Sequence, residues 1–231
     1  MEAIILAGGL GTRLAAKLNG VPKAMAPVAG RPFLEILLNQ LKRAGCTRAV
    51  LSVGHLHAVI QSHFGESFNG MRVEYAIEDV PLGTGGAIRA ALGHITEKSV
   101  LVLNGDTFLD AAYADLMRFH EAEGAGLTMA ITHRADVARY GGVIVSGGRI
   151  TGFEEKGRIG EGWINAGAYA MEKDLRWPEA LAEKFSFETD FLATEIGRIA
   201  PAAYEVDGFF LDIGVPEDLD RAQRELADFE L

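Results

Sequence analysis

Residues 3–13, AIILAGGLGTR, consist of a fully apolar run followed by a glycine-rich loop, and this combination indicates the fold class. Residues 3–6 predict a β-strand that is covered on both faces, because none of its side chains is polar. Gly8, Gly9 and Gly11 follow within four positions. Without side chains they let the backbone approach a ligand and let several N–H groups point at one anion. The stretch therefore predicts a central strand that ends at an anion-binding loop.

Apolar runs and helical patterns alternate after this loop. Strands are predicted over residues 49–53, 72–77 and 100–103, and helices over residues 33–44, 56–64 and 86–92. This alternation predicts an α/β fold with a mostly parallel sheet and helices on both of its faces. In such sheets, ligands bind outside the carboxyl ends of the strands. Both the glycine-rich loop and Asp106 are expected at that edge.

The pattern changes from about residue 140 onward. Residues 142–145, 149–153 and 163–171 predict a small antiparallel β-ribbon region with tight glycine turns, and residues 189–199 and 216–227 predict two closing helices. Ser186 or Thr189 is the expected cap of the first of these helices. Because the 231 residues contain neither a linker nor an internal repeat, we expect one domain over residues 1–231.

The net charge of −10 argues against a general nucleic-acid-binding protein, which needs a basic face to displace counterions from phosphates. The charges are unevenly distributed, however, because no acidic residue lies between Glu2 and Glu35. That stretch contains the basic residues Arg13, Lys17, Lys23 and Arg31. An acidic chain with one basic, carboxylate-free stretch is expected to bind a small anion there.

Several features bear on the compartment. The single cysteine, Cys46, cannot form a disulfide within the chain and is typical of a reducing environment. The sequence shows neither a secretory leader pattern nor the roughly 18 uninterrupted apolar residues of a membrane-spanning helix. These features predict a cytoplasmic protein without a membrane partner.

Two aspartates are candidates for a metal site. Asp106 follows the apolar strand predicted over residues 100–103, and Asp212 stands between Leu211 and Ile213. A carboxylate in apolar surroundings is costly unless it is paired or binds a metal. Two hard oxygen ligands, together with nucleotide phosphates and water, suit Mg²⁺. The alternative is that both aspartates are helix caps or buried hydrogen-bonding groups.

The glycine-rich loop differs from two common phosphate-binding motifs. It lacks the G-K-[ST] ending of a P-loop, and Leu14, one position after Arg13, stands where a G-x-G-x-x-G pattern starting at Gly9 would have its last glycine. An NAD-linked oxidoreductase would also have a helix directly after the glycines and an acidic residue about 20 positions on, where this sequence has Lys23 and Pro27.

The loop and the segments after it resemble the signature of the sugar-phosphate nucleotidyltransferases, a family with a Rossmann-like core. The resemblance covers the whole chain. The matching segments are LAGGLGTRL (6–14), VPKAMAPVAGRPFLE (21–35), PLGTGGAIRAAL (81–92), NGDTF (104–108), RYGGV (139–143), GFEEKG (152–157), INAGAY (164–169) and FLDIGVPEDL (210–219). The resemblance implies a three-layer α/β/α nucleotidyltransferase fold. It also implies nucleotide binding by residues 1–110 and sugar-phosphate binding by residues 111–231.

The resemblance also implies roles for individual residues. The catalytic residues would be Arg13, Lys23 and Asp106. The nucleotide would contact Leu6, Ala7, Gly8, Gly9, Gly11, Thr12, Arg13, Lys23, Glu78, Gly83, Thr84 and Asp106. The sugar phosphate would contact Gly141, Glu155, Lys156 and Asn165, and Mg²⁺ would be bound by Asp106 and Asp212.

These roles suit the chemistry of the implied reaction, in which a sugar-phosphate oxygen attacks the α-phosphorus of a nucleoside triphosphate. The nucleophile is already ionised at neutral pH, so the enzyme has to align two polyanions and neutralise charge. Arg13 can grip phosphate oxygens with two N–H groups, and Lys23 provides a point charge. Glu78 could accept hydrogen bonds from guanine or from the single N3–H of uracil. The prediction that the nucleotide is GTP rather than UTP therefore depends on the resemblance.

Within the family the sequence is most similar to the enzymes that join GTP to D-glycero-α-D-manno-heptose 1-phosphate, an activity that would serve capsule or other surface-polysaccharide biosynthesis. The alternatives are a mannose-1-phosphate guanylyltransferase and a uridylyltransferase that acts on another sugar 1-phosphate. A non-catalytic sensor of sugar nucleotides is the alternative outside enzymology, and it would be expected to lack Lys23, Asp106 or Asp212. The sequence leaves the oligomeric state open, a homo-oligomer included.

Overall fold

Strand β1 lies at the centre of the parallel part of a ten-stranded sheet, as its apolar sequence predicts. The computed structural model describes residues 1–9, 11, 14–18, 20–227 and 229. Within them the strands are β1 (Glu2–Leu6), β2 (Pro27–Val28), β3 (Arg31–Pro32), β4 (Arg48–Val53), β5 (Ser67–Phe68), β6 (Met71–Ile77), β7 (Ser99–Asn104), β8 (Thr107–Leu109), β9 (Leu127–Arg134), β10 (Val143–Ser146), β11 (Arg149–Phe153), β12 (Gly162–Glu172), β13 (Ala202–Glu205) and β14 (Phe210–Asp212).

The helices flank this sheet. They are α1 (Ala15–Leu18), α2 (Phe33–Arg43), α3 (His57–Phe64), α4 (Gly83–Ala91), α5 (Tyr113–Glu123), α6 (Ala193–Ile199) and α7 (Pro216–Glu225), with 3₁₀ turns at Lys23–Met25 and Leu92–His94 and a π-helical segment at Phe187–Leu192. No helix among the described residues has the length and apolar character needed to cross a membrane.

Two hydrophobic cores lie on opposite faces of the sheet, so the fold has the three α/β/α layers that were predicted. Alternate residues of β1 point to opposite faces: Ala3 and Ile5 pack with α2, α5 and α7, whereas Ile4 packs with α4 and the π-helical segment. Helix α2 shows why these helices form where they do. Its apolar positions recur at helical spacing, and six of them are completely buried.

The order of the strands in the sheet is β10-β11-β13-β9-β12-β7-β1-β4-β6-β5. The expected parallel pairing is present among β7, β1, β4 and β6 and again between β13 and β9. Strand β12, however, pairs antiparallel with both β7 and β9, and β10, β11 and β13 continue the same sheet through antiparallel pairs.

The α/β class is therefore confirmed, but the sheet is mixed rather than mostly parallel, and the antiparallel region is larger than expected. The physical reason is that an apolar or alternating run predicts a strand without fixing its direction. Direction follows from the connections and from the long-range pairing of β12.

Several elements were not predicted. The sequence analysis omitted α5, β9, β13 and the pair of short strands β8 and β14. A one-turn helix, α1, also follows the glycine-rich loop, where the sequence analysis expected none. The first closing helix begins as a π-helical segment, and the Ser186 hydroxyl caps it by accepting a hydrogen bond from the Thr189 N–H (3.2 Å).

Candidate active site

The carboxyl edge of the parallel strands brings the glycine-rich loop and the candidate metal ligands together. Strands β1 and β7 run parallel with Leu6 opposite Asn104, so both strands end at the same edge. The Gly105 N–H donates to the Leu6 carbonyl (3.0 Å) and fixes the start of the segment that carries Asp106.

A short antiparallel pair, β8 with β14, places Asp212 beside Asp106. In its register Asp212 lies opposite Thr107, and the Ile213 N–H donates to the Asp106 carbonyl (2.9 Å). The Asp212 carboxylate is held by the Gly214 N–H, which donates to Oδ1 (2.6 Å). The two aspartates, far apart in the sequence, thus meet at one point.

The charges at this point are only partly compensated. Lys23 Nζ lies 2.5 Å from Asp106 Oδ2 and is mostly buried. Burial raises the pKa of the Asp212 carboxyl, and the neighbouring charge of Asp106 raises it further, while Lys23 opposes both effects. A carboxylate whose ionisation is disfavoured by a neighbouring negative charge is stabilised by additional positive charge.

These residues fit a divalent cation. The donors are hard carboxylate oxygens, and the mutual repulsion of Asp106 and Asp212 would be relieved by a cation between them. No group of three or more His, Cys, Asp or Glu side chains with metal-binding geometry occurs among the described residues. The remaining ligands would therefore come from substrate oxygens and water.

Arg139 adds a second cation that the sequence analysis did not assign, although the segment RYGGV was noted. Its guanidinium lies 3.6 Å from Asp212 Oδ2, donates to the buried carboxylate of Asp218, and lies over the ring of Tyr140. Arg139 therefore links the carboxylate pair to α7.

A cavity of about 470 Å³ opens beside Asp106 and contains most of the predicted nucleotide contacts. The predicted residues that line it are Leu6, Gly8, Gly9, Glu78, Gly83, Thr84 and Asp106. The lining residues that the sequence analysis missed are Ser52, Pro81, Ala87, Asn104, Gly105, Tyr169, Ser186, Phe187 and Glu188. We refer to this space as the nucleotide-side cavity.

Glu78 is fixed in the wall of this cavity by two hydrogen bonds. The Ser52 hydroxyl donates to Oε1 (2.9 Å) and the Leu82 N–H donates to Oε2 (2.9 Å). Gly8 makes room for the carboxylate, because a Cβ atom at this position would lie 2.8 Å from Glu78 Oε1. The glycine is thus required for close packing as well as for access to the loop backbone.

The segment Gly83-Thr84-Gly85 supports the neighbouring part of the cavity wall. A Cβ atom on Gly85 would overlap the ring of Phe185, so only glycine fits there. The Gly85 N–H donates to the Phe185 carbonyl (3.0 Å), and the Thr84 hydroxyl accepts from the Phe187 N–H (2.9 Å). The start of α4 therefore positions residues 185–187, which lead into Glu188.

The other predicted nucleotide contacts have different positions. Ala7 is buried, and its N–H donates to the Ser52 carbonyl (2.8 Å), so it anchors the loop to β4. Gly11 packs against Lys23, whose ammonium group reaches Asp106. The predicted contacts Thr12 and Arg13 lie outside the described residues.

A second cavity, of about 710 Å³, lies on the other side of Asp106. All four predicted sugar-phosphate residues line it, namely Gly141, Glu155, Lys156 and Asn165, and so do both predicted metal ligands. Asn104, Asp106 and Glu188 line both cavities. We refer to this second space as the sugar-side cavity and to the region of the three shared residues as the junction.

Glu188 is held at the junction by a network that sequence reasoning missed. The Asn165 amide donates to Glu188 Oε1 (2.7 Å), and the Tyr169 hydroxyl lies 3.3 Å from the same oxygen. The Asn165 carbonyl oxygen accepts from the Gly167 N–H (3.0 Å). Loss of contact with water raises the pKa of the Glu188 carboxyl, and the Tyr169 hydrogen bond and the charge of Lys156 oppose that rise.

Comparison with known proteins places this arrangement in a family. The sequence profile of the nucleotidyl transferase family matches residues 2–228. The chain belongs to the nucleotidyl transferase family. Members of this family generally use a divalent metal ion.

Two similar members of the nucleotidyl transferase family share nearly the whole length of the chain. A D-glycero-α-D-manno-heptose 1-phosphate guanylyltransferase from Aneurinibacillus thermoaerophilus is 42% identical over 98% of both chains. A crystal structure of HddC from Yersinia pseudotuberculosis, complexed with GMP-PN, is 34% identical, has a TM-score of 0.83, and matches 97% of this chain and 99% of that one.

A third member of the family acts on a different sugar. A mannose-1-phosphate guanylyltransferase from Mycobacterium tuberculosis is 32% identical over 98% of this chain and 64% of its own length. The recognition of the nucleotidyl transferase family from the sequence is thus confirmed.

Proposed function

We propose that the chain is a guanylyltransferase that converts GTP and D-glycero-α-D-manno-heptose 1-phosphate into GDP-D-glycero-α-D-manno-heptose and pyrophosphate. The observation that carries the proposal is the pair of cavities that meet at Asp106, one lined by the glycine-rich loop and the other by Glu155 and Lys156. Near-full-length identity of 42% to a guanylyltransferase for this heptose supports the choice of substrates.

In the proposed reaction, a phosphate oxygen of the sugar phosphate forms a bond to the α-phosphorus of GTP. The bond between the α-phosphorus and the bridging α–β oxygen breaks, and its electron pair leaves with pyrophosphate. No general base is needed, because the nucleophilic phosphate is ionised at neutral pH. The task of the protein is therefore to align the two phosphates and to neutralise their charge.

Lys23 and Arg13 supply this positive charge in our proposal. Lys23 lies at the junction, where it is fixed by Asp106 and where the α-phosphate would be transferred. Arg13 would grip the phosphates that leave with pyrophosphate. The division of the chain into a nucleotide part (about 1–110) and a sugar-phosphate part (about 111–231) is proposed with one amendment. Four residues of the second part also line the nucleotide-side cavity, namely Tyr169, Ser186, Phe187 and Glu188.

Asp106 and Asp212 would hold Mg²⁺ against the phosphates. Bound there, the ion would neutralise charge on the transferring group. The pairing of β8 with β14 holds together the two carboxylates that would bind it. Glu78, held by Ser52 and Leu82, would face the base, and its carboxylate can accept from the N1–H and amino groups of guanine.

Gly141, Glu155, Lys156 and Asn165 would form the sugar-phosphate site in the sugar-side cavity. Lys156 would bind the phosphate and Glu155 the hydroxyl groups. A site for the heptose also has to accommodate one CHOH group more than a site for mannose. A polar partner for that group would be left unpaired when mannose binds, which costs roughly 1–3 kcal/mol, or about ten- to a hundredfold in kcat/KM.

A pyrophosphate-release assay with four nucleoside triphosphates and several sugar 1-phosphates tests this function. We expect the highest kcat/KM with GTP and the manno-heptose 1-phosphate. Higher activity with UTP would contradict the guanylyltransferase assignment. Equal values for the heptose and α-mannose 1-phosphate, or a preference for mannose, would contradict the heptose assignment, and the 32% identity to a mannose-1-phosphate guanylyltransferase makes mannose the second candidate. Release of no pyrophosphate with any pair would favour a non-catalytic sensor.

A cytoplasmic location, the absence of nucleic-acid and membrane partners, and service in capsule or other surface-polysaccharide biosynthesis stay predictions. A homo-oligomer also stays open, and light scattering on the purified chain measures it directly.

A further inference from the structure

The structure assigns to Glu188 the recognition of the sugar hydroxyl next to the phosphate, which is the C2 hydroxyl of the sugar 1-phosphate. This inference rests on the proposed function and names a specificity residue within the same site. It depends on where Glu188 lies, on what already occupies its carboxylate, and on which substrate groups can reach the junction.

Glu188 lies where the two substrates must meet. It lines both cavities, together with Asn104 and Asp106. Two hydrogen bonds fix the segment that carries Glu188. The Thr84 hydroxyl accepts from the N–H of the preceding Phe187, and the Ser186 hydroxyl caps the segment. The start of α4 and the Ser186 cap therefore position the backbone that carries Glu188.

One oxygen of this carboxylate is committed to the protein. Oε1 accepts from the Asn165 amide (2.7 Å) and lies 3.3 Å from the Tyr169 hydroxyl. Within the described part of the chain, Oε2 accepts no hydrogen bond, while the side chain is accessible from the cavities. Oε2 is thus an acceptor that a substrate donor can use.

Asn165 acts through Glu188 in this arrangement. Its amide N–H groups donate to Glu188 and to the Tyr169 oxygen (2.6 Å), and its carbonyl oxygen accepts from the Gly167 N–H. With these groups engaged, Asn165 is a positioning residue for Glu188, in place of the direct sugar contact that the resemblance implies.

The chemistry of the substrates limits the donor. A carboxylate at the junction is repelled by both phosphates, so it needs a substrate hydroxyl to be useful there. The sugar carries its phosphate on C1, whose neighbours are the ring oxygen, which has no hydrogen, and C2, which carries a hydroxyl. The ribose hydroxyls of the nucleotide lie on the carbons farther from its 5′-phosphate. Counted in bonds from the phosphate of its own molecule, the C2 hydroxyl of the sugar is therefore a nearer donor than either ribose hydroxyl, and it enters the junction together with the attacking phosphate.

The test compares a sugar 1-phosphate with its 2-deoxy analogue on wild-type protein and on Glu188→Ala. We use the manno-heptose 1-phosphate, or whichever sugar 1-phosphate the pyrophosphate-release assay identifies, so that a wrong heptose assignment is seen before any variant is made. We expect removal of either the carboxylate or the hydroxyl to lower kcat/KM about ten- to a hundredfold, the scale of a hydrogen bond to a charged group. Once one partner is gone, removal of the other should change kcat/KM less than about threefold.

If the loss of kcat/KM for Glu188→Ala with the 2-deoxy sugar equals the product of the two separate losses, the assignment is overturned, because Glu188 and the C2 hydroxyl then act independently. GTP affinity, measured by calorimetry without sugar phosphate, should be unchanged in Glu188→Ala. A matching loss of GTP affinity would overturn the assignment by showing a nucleotide or structural role.

Three further variants distinguish direct contact of Glu188 with the sugar from the positioning role of Asn165. Glu188→Gln keeps a carbonyl acceptor and should restore part of the activity. Asn165→Ala should lower kcat/KM for the hydroxylated sugar but have little further effect in the Glu188→Ala background. Glu195→Gln is the matched control, since Glu195 pairs with Arg198 (2.5 Å) on α6 and lines neither cavity.

Discussion

The two edges of the parallel strands carry carboxylates under opposite electrostatic conditions. At the amino edge, Glu2 is almost completely buried and yet fully compensated. Arg48 donates to it (2.8 Å), and so do the Thr96 N–H and hydroxyl groups and the Glu97 N–H. Burial alone would raise the pKa of Glu2, but these hydrogen bonds outweigh it and lower the pKa to about 2.

At the carboxyl edge the balance is reversed. Burial and the charge of Asp106 raise the pKa of Asp212, and burial raises the pKa of Glu188. Negative charge therefore favours the folded state at the amino edge and opposes it at the carboxyl edge. The comparison assigns Glu2 to stability, and it agrees with our proposal that the carboxylates at the other edge bind ligands that compensate them.

The largest effect is expected from Asp212→Asn. The change removes a carboxylate from the proposed metal site, so turnover with saturating Mg²⁺ should fall at least about a hundredfold. The melting temperature should stay equal or rise, because repulsion with Asp106 disappears while the amide oxygen can still accept from the Gly214 N–H. Steady-state kinetics and calorimetry measure both. Asp106→Asn should lose turnover to a similar degree, and wild-type turnover in either variant would contradict the site.

A smaller effect is expected when either Lys23 or Lys156 at the carboxyl edge is replaced, and the two variants should differ in which kinetic constant changes. Lys156→Ala should raise the KM for the sugar phosphate about tenfold, the scale of one lost charged hydrogen bond, with the KM for GTP nearly unchanged. Lys23→Ala should instead lower turnover or GTP affinity, because Lys23 lies beside Asp106 at the junction. The same GTP defect in both variants, with a normal KM for the sugar phosphate, would refute this division of labour.

At the amino edge, Glu2→Gln should affect stability alone. The variant loses charged hydrogen bonds and leaves Arg48 with less compensation, so the free energy of unfolding should fall by about 1–3 kcal/mol. Urea denaturation at pH 7 measures this loss. Because Glu2 lies at the opposite edge from the proposed site, kcat/KM should stay within about twofold of wild type. A large loss of kcat/KM in folded protein would remove the distinction between the edges.

The sequence predicted the features that depend on neighbouring residues, and it did not predict those that depend on contacts between residues far apart in the chain. Local patterns sufficed for β1 and α2, since apolar runs and helical spacing report burial directly. Their apolar flanking residues, and then the resemblance, pointed to Asp106 and Asp212, but their contact depends on the β8–β14 register, which no local pattern encodes. Glu188 was missed because its role follows from contacts with Asn165 and Thr84-bound Phe187, which are distant in sequence. The direction of β12 was unpredictable for the same reason.

The smallest expected effect is a difference in the pH dependence of stability between the two edges. The pKa of Glu2 is lowered in the folded state, so its contribution is complete above the unfolded value near 4.5 and is lost as the pH falls toward about 2. The advantage of wild type over Glu2→Gln should therefore be constant above about pH 5.5 and shrink below it. The pKa of Asp212 is raised, so wild type should lose stability relative to Asp212→Asn as the pH rises through that pKa. Urea denaturation of the three proteins at several pH values between 3 and 7, a range set by these pKa values, measures both differences. Differences of the same sign would mean that the two edges are not electrostatically opposed.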